Sequence, residues 1–186
     1  MKICRYDDKY RSGVRDVCLI TGPDDAPTDK RVGTYILNCY CNYYIECEPG
    51  NCFVLVNEDD EAVGYTLCAE NYRNYRKNSK PYLKIARENA GREKAEIAAE
   101  QFALRLFSKK YPAHLHIDIR PGYTGSGFGT ELIRTLLSHL KDKGVPAVML
   151  TVGSGNREAI RFYERNGFKI IVKAFGGTVM GINLRI

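Results

Sequence analysis

The sequence predicts a single mixed α/β domain, and three observations carry that prediction. "AHLHIDI" alternates apolar and polar residues strictly, the period of a strand. "AVMLTV" is a short apolar run suited to a buried strand. Between them, "RPGYTGSGFGTELI" joins a glycine-rich turn to a helix whose stripe is Leu132, Ile133, Leu136, Leu137 and Leu140. A length of 186 residues suits one domain spanning 1–186, with a real core.

The other elements follow in order. "MKICRY" opens as a strand, and Asp7 or Asp8 caps a helix to about Ile20. "TGPDDAPTD" is a loop dense in Gly, Pro and Asp. A Tyr-rich helix is expected from about Arg31 to Ile45, broken by "EPGN". Cys52–Val56 and Ala62–Cys68 flank an acidic turn as a hairpin. Residues 70–112 read as a helical insertion before the central strand. Ala98, Phe102 and Leu106 form its expected buried stripe, and its charges a solvated face. After "AVMLTV", "GSGN" leads into "REAIRFYERNG". "FKIIVKAFGG" and "TVMGINLRI" then form a final antiparallel pair.

Composition narrows the function. Hydrophobic content of 44% and charged content of 27% fit a soluble globular protein. "MKICRYDDKYRSG" turns charged at once, unlike a signal peptide, and no apolar stretch approaches a membrane span, so the cytoplasm is expected. The net charge of +6 is mild, and its basic residues are spread out. That pattern argues against a nucleic-acid partner and is compatible with a small phosphorylated ligand. The seven cysteines include Cys39 and Cys41 as C-x-C but no C-x-x-C pair. They read as reduced, mostly buried thiols, with no metal site.

The glycine turn is the chemical signal. A helix start presents free N–H groups and a favourable dipole to an anion, and glycine admits phosphate without a Cβ in the way. A tight turn alone needs one glycine. Gly125, Gly127 and Gly129 in alternation predict a phosphate or pyrophosphate site. Phe128 and Gly129 replace the Lys and Ser/Thr of a P-loop. The spacing G-x-G-x-G is not the dinucleotide fingerprint, and no acid ends the next strand.

"IRPGYTGSGFGTELI" resembles the acyl-CoA-binding motif of the GCN5-related N-acetyltransferase (GNAT) superfamily. "LTVGSGNREAIRFYERNGFKI" resembles the second half of that signature. Together they cover about Leu115 to Ile171. More narrowly, "YPAHLHIDIRP" and "VCLITGPDDAPTD" look like bacterial acetyltransferases related to the domain found beside O-GlcNAc-removing hydrolases. The superfamily resemblance implies a mixed sheet with helices on both faces and a splayed parallel strand pair that holds acyl-CoA. It implies acetyl transfer from acetyl-CoA, the cosubstrate, to a primary amine of a small molecule or protein.

The resemblance also implies residue roles. Backbone groups near Ile119 meet pantetheine. Thr124, Gly125, Ser126, Gly127, Phe128 and Gly129 surround the pyrophosphate, with the amides of Gly125 to Gly129 holding it. Asn156 contacts the cofactor arm, while its position also suits a helix cap. Tyr163 stands near the thioester sulfur as a proton donor, although Ile160 and Tyr163 at i, i+3 equally suit a core face. Asp118, with His116 next, is the candidate to take the acceptor's proton, with a structural ion pair or hydrogen bond as the other reading. His114 reads as a packing histidine. Tyr35, Tyr40, Tyr43 and Tyr44 read as packing residues or as lining for an acceptor pocket.

Thr124 departs from the pattern, which has Arg or Gln there. Arg120 is a nearby alternative source of charge. Without such charge, the chain reads instead as a non-catalytic acyl-CoA-binding or protein-interaction module.

Overall fold

The computed structural model describes residues 1–153, 155–174 and 176–185. Ser154 of the "GSGN" turn, Phe175 of "FKIIVKAFGG" and Ile186 of "TVMGINLRI" lie outside the described residues. The strands are β1 (Lys2–Arg5), β2 (Phe53–Val56), β3 (Ala62–Ala69), β4 (Ala113–Ile119), β5 (Ala147–Gly153), β6 (Lys169–Ala174) and β7 (Gly177–Asn183). The helices are α1 (Arg11–Ile20), α2 (Lys30–Tyr40), α3 (Asn42–Cys47), α4 (Tyr72–Asn78), α5 (Lys80–Asn89), α6 (Lys94–Phe107), α7 (Phe128–Asp142) and α8 (Arg157–Arg165).

The strands make one sheet in the order β1-β2-β3-β4-β5-β7-β6. Every neighbouring pair is antiparallel except β4 and β5. The parallel pair is short. Ala113 faces Val148 and His114 faces Met149, and beyond these two positions the strands no longer pair. Strand β3 continues against β4 from Ala69↔His114 to Gly64↔Ile119, and β7 covers the full length of β5. The centre of the sheet therefore opens into a gap while both flanking ladders stay intact.

Alternation along the strands feeds two apolar cores. Val54, Tyr65, Leu67 and Met149 pack on one face with residues of α1 to α6. Leu55, Leu115, Val148 and Leu150 pack on the other with α7 and α8. Leu132, Ile133, Leu136 and Leu140 of α7 are buried as its stripe requires, and Leu137 packs at its edge. Gly144, at φ 73°, follows its last turn, a conformation glycine adopts without a Cβ penalty.

Two expectations fail. The Tyr-rich helix is two helices, because Cys41 leaves helical geometry at φ −133° and ψ −65°. No glycine or proline marks this break. It turns Tyr43 and Tyr44 into the core, each 1% exposed. In residues 70–112, Phe102 and Leu106 are 51% and 53% exposed, and Ala98 is exposed too. The buried face of α6 is Ile97, Ala103 and Leu104. Both faces carry apolar residues, and packing against the neighbouring helices selects the second. The opening helix also differs slightly, since Asp7 caps a 3₁₀ turn, Asp8–Tyr10, before α1 begins.

All seven cysteines are free; Cys18, Cys39, Cys41, Cys52 and Cys68 are buried. No helix among the described residues is long and apolar enough to cross a membrane.

Candidate active site

The gap between β4 and β5 opens into two cavities. One, of about 660 Å³, lies on the α7–α8 side and is lined by Thr124, Gly125, Gly127, Gly129, Ile119 and α8. The other, of about 520 Å³, lies on the α1–α2 side and is lined in part by Tyr35, Tyr40, Glu100, His116 and Thr151. Ile117, Asp118, Asn156, Ala159 and Tyr163 line both. The two cavities therefore adjoin along these residues, with Asp118 and Tyr163 at the junction.

The glycine turn is built for the first cavity. Gly125 and Gly127 have φ near 85°, where a Cβ is strained, and a Cβ at either would meet nothing within 4 Å. Their amides precede α7, so the helix dipole and free N–H groups favour an anion there. Gly129 serves differently. A Cβ there would come within 3.2 Å of the Phe162 ring, so this glycine lets α7 pack close to α8. Thr124 lines the cavity. Ser126 is exposed and Phe128, the first residue of α7, packs partly buried against the core, so neither side chain lines it. Ile119 does, at the end of β4.

Two expectations about charge change. Arg120 lines a separate cavity with Lys9, Asp16 and Asp60, so it does not supply the charge that Thr124 lacks. Arg161 and Arg165 line the cavity instead. They are one helical turn apart on α8, a spacing legible in "REAIRFYER" once the helix is placed beside the turn. Asn156 caps α8, its side chain accepting from the Ala159 N–H at 3.0 Å, while it also lines both cavities.

Asp118 points away from the Leu115/Ile117/Ile119 face. Burial raises its carboxyl to about 6, and Tyr65, which donates at 2.6 Å, pulls it partly back, with Thr21 beside it. Tyr163 is 9% exposed. Burial first, and the Asp118 charge second, push its hydroxyl above the ordinary tyrosine value. It stays protonated at neutral pH and is a proton donor, never a standing base.

His116 and His114 are linked through one hydroxyl. Tyr44 Oη lies 2.9 Å from His116 Nε2 and 3.1 Å from His114 Nε2. Burial holds His116 down at about 4, and burial with the His116 charge holds His114 at about 3, so both are neutral at pH 7. His114 Nδ1 is buried without a partner among the described residues. A buried unpaired lone pair is easier to tolerate than a buried unpaired N–H. That assigns the His114 proton to Nε2, donating to Tyr44 Oη, and Tyr44 O–H donates to His116 Nε2. His116 then carries its proton on Nδ1. His114, expected as a packing histidine, is buried and packs edge-on against Tyr75 and Tyr44.

Of the four tyrosines considered for an acceptor pocket, Tyr35 and Tyr40 line the second cavity. Tyr43 and Tyr44 do not, although Tyr44 braces His116 from behind. Glu100, expected on a solvated face, is half-buried and lines the cavity with Glu96. Burial raises it to about 7, and the nearby Tyr40 hydroxyl lowers it partly. Only the packing of α6 reveals this residue; its one sequence signal is the i, i+4 spacing of Glu96 and Glu100.

Comparison with known proteins agrees with this geometry. The pattern of the Acetyltransferase (GNAT) family matches residues 24–168. Mycothiol acetyltransferase of Thermomonospora curvata is 46% identical over 52 residues, which is 28% of this chain and 18% of that protein. The match thus spans under a fifth of that relative's length. The crystal structure of SsHAT superimposes with a TM-score of 0.84 at 30% identity, covering 100% of this chain and 98% of that one. The Salmonella typhimurium protein yncA, solved with its cofactor acetyl-CoA, shares the fold, with a TM-score of 0.63 at 15% identity over 100% of this chain and 95% of that one.

Proposed function

Since the chain belongs to the acetyltransferase (GNAT) family, we propose that it transfers an acetyl group from acetyl-CoA to a primary amine by direct attack. The observation that carries this reading is the pair of cavities meeting at Asp118 and Tyr163, one anion-binding and one acidic. The residues of the first fit acyl-CoA. Amides from Gly125 to Gly129 hold the pyrophosphate, Arg161 and Arg165 add positive charge, and the unpaired edge of β4 near Ile119 offers backbone partners to pantetheine amides. Acetyl-CoA supplies an activated thioester at the junction.

The chain's own residues do the rest. An alkylamine, with a pKa of about 10.4, arrives charged and must lose a proton before it attacks. Asp118, ionised above about pH 6, takes that proton directly or through water. Tyr163, protonated and at the junction, gives its proton to the departing sulfur. His116 ranks below Asp118 as a base: its Nε2 accepts from Tyr44 and its Nδ1 carries the proton. It serves better as a hydrogen-bond donor in the acceptor cavity.

The non-catalytic reading drew its support from Thr124. Arg161 and Arg165 in the same cavity remove that support. The narrower likeness to the domain beside O-GlcNAc-removing hydrolases rests on "YPAHLHIDIRP" and "VCLITGPDDAPTD" and names no acceptor. Thiol release from acetyl-CoA with an amine panel tests the proposal. Amine-dependent release supports it, and tight acetyl-CoA binding with no release to any amine overturns it.

A further inference from the structure

We propose that the acceptor is a dication: a small alkyl diamine or polyamine, with one nitrogen at Asp118 and a second, charged nitrogen held by Glu96 and Glu100. This rests on the acetyltransferase reading and adds the substrate class.

The second cavity carries the argument. Among its described lining residues are three carboxylates, Asp118, Glu96 and Glu100, and no Lys or Arg, in a chain of net charge +6. The positive charge lies instead in the cofactor cavity, with Arg161 and Arg165. The acids are also divided in space. Asp118 is at the junction on β4, whereas Glu96 and Glu100 are one turn apart on α6, a separate wall. A single ammonium group at Asp118 leaves the α6 pair unused.

The α6 pair is not neutralised elsewhere. The ion pairs found among the described residues include neither Glu96 nor Glu100. Glu100 lies near the Tyr40 hydroxyl, and Tyr40 is itself set edge-on against His116, 5.2 Å between ring centres. Half-burying a carboxylate beside aromatic rings is unfavourable unless it takes up a proton, as its raised value allows, or a ligand brings a cation. The cavity also shares Asp118 and Tyr163 with the cofactor cavity, which puts it where an acceptor would reach the thioester. Thr151 Oγ1, on β5 opposite, is buried with no hydrogen-bond partner among the described residues, and Thr151 lines the same cavity. Tyr35, Ile36 and Tyr40 line the same cavity. Such a wall suits a methylene chain with a charge at each end, and the three carboxylates disfavour an anionic or carboxylate-bearing acceptor.

The test compares diaminobutane and diaminopentane with n-butylamine, by thiol release from acetyl-CoA and by calorimetry on CoA-saturated protein. The diamines should be preferred in kcat/KM by about 10–100-fold, the range of a charge-assisted hydrogen bond in a partly desolvated site. Glu100→Gln and Glu96→Gln, both near-isosteric, should each narrow that ratio, and CoA affinity reports that the variants are folded. Equal kcat/KM for the diamines and n-butylamine overturns the inference while leaving acetyl transfer intact. So does a ratio unchanged in both variants. If no amine is acetylated, acetyl transfer itself fails. Calorimetry then decides the inference: tighter diamine binding supports it, and equal affinity for n-butylamine overturns it.

Discussion

Tyr65 and Asp118 face each other across β3 and β4, and the Tyr65 hydroxyl donates to the Asp118 carboxylate at 2.6 Å. The bond fixes the carboxylate at the mouth of the gap and leaves its second oxygen for a substrate proton. It does not restore what burial removes, since Asp118 remains raised to about 6.

Asp118 should therefore govern the acid limb of the pH profile. In the wild type, kcat/KM should fall below about pH 6 as the carboxylate takes up a proton. Asp118→Asn should lose this inflection, and its residual rate should climb with pH as free amine accumulates. Pre-steady-state acyl transfer against pH checks both. A pH-independent loss in Asp118→Asn would make the carboxylate structural.

The same shift has a stability counterpart. A carboxyl raised in the folded state favours folding below its unfolded value of 3.8, and that contribution is lost as pH rises through about 6. At pH 7 the ionised group thus costs up to about 3 kcal/mol. Asp118→Asn, which keeps an acceptor for Tyr65, should unfold at higher denaturant concentration than the wild type at pH 7. The two proteins should converge towards pH 4. Chemical denaturation at the two pH values measures it.

Tyr163→Phe keeps the ring and its packing but removes the hydroxyl. Turnover should fall by about 10²–10⁴ while acetyl-CoA affinity hardly changes. Single-turnover kinetics beside calorimetry separates the effects, and full activity would remove Tyr163 as the acid.

At Gly127, conformation and charge can be separated. Gly127→Ala should cost about 1–2 kcal/mol of backbone strain, since φ is 86°, but adds nothing that blocks the cavity. Gly127→Glu should add a negative charge where the pyrophosphate sits and abolish acetyl-CoA binding in a folded protein. Calorimetry with both variants gives the comparison. Unchanged affinity in folded Gly127→Glu would remove the turn from the cofactor site.

Arg161→Gln and Arg165→Gln should weaken CoA binding, and the loss should shrink at high salt. Thr124→Arg should tighten CoA binding at low salt, with the gain screened in the same way. Affinities across a salt series decide whether α8 already supplies the charge that the turn lacks.

The strands, the glycine turn and α7 were legible because their signals are local: period two, three glycines, one unbroken Leu/Ile stripe. The break at Cys41 was not, because no residue there demands it. The face of α6 was misread because Ala98/Phe102/Leu106 and Ile97/Ala103/Leu104 are both apolar sets. Neighbouring helices make the choice, and a fraction of a turn about the helix axis decides whether Glu100 meets water or the cleft. Similarly, Arg120 is close in sequence to the turn yet turns away, whereas Arg161 and Arg165 are remote in sequence and arrive by helix packing.

The short β4–β5 ladder divides the molecule mechanically. Two register pairs join these strands, against six between β3 and β4 and seven between β5 and β7. The sheet behaves as two stiff plates stitched at one end. A small rotation about the stitch at His114 and Met149 moves the free ends most, and these carry Ile119 and Gly153. A ligand arm bonded along the open edge would clamp the plates. Amide exchange along the free edge of β4 should then slow more than at the closed end.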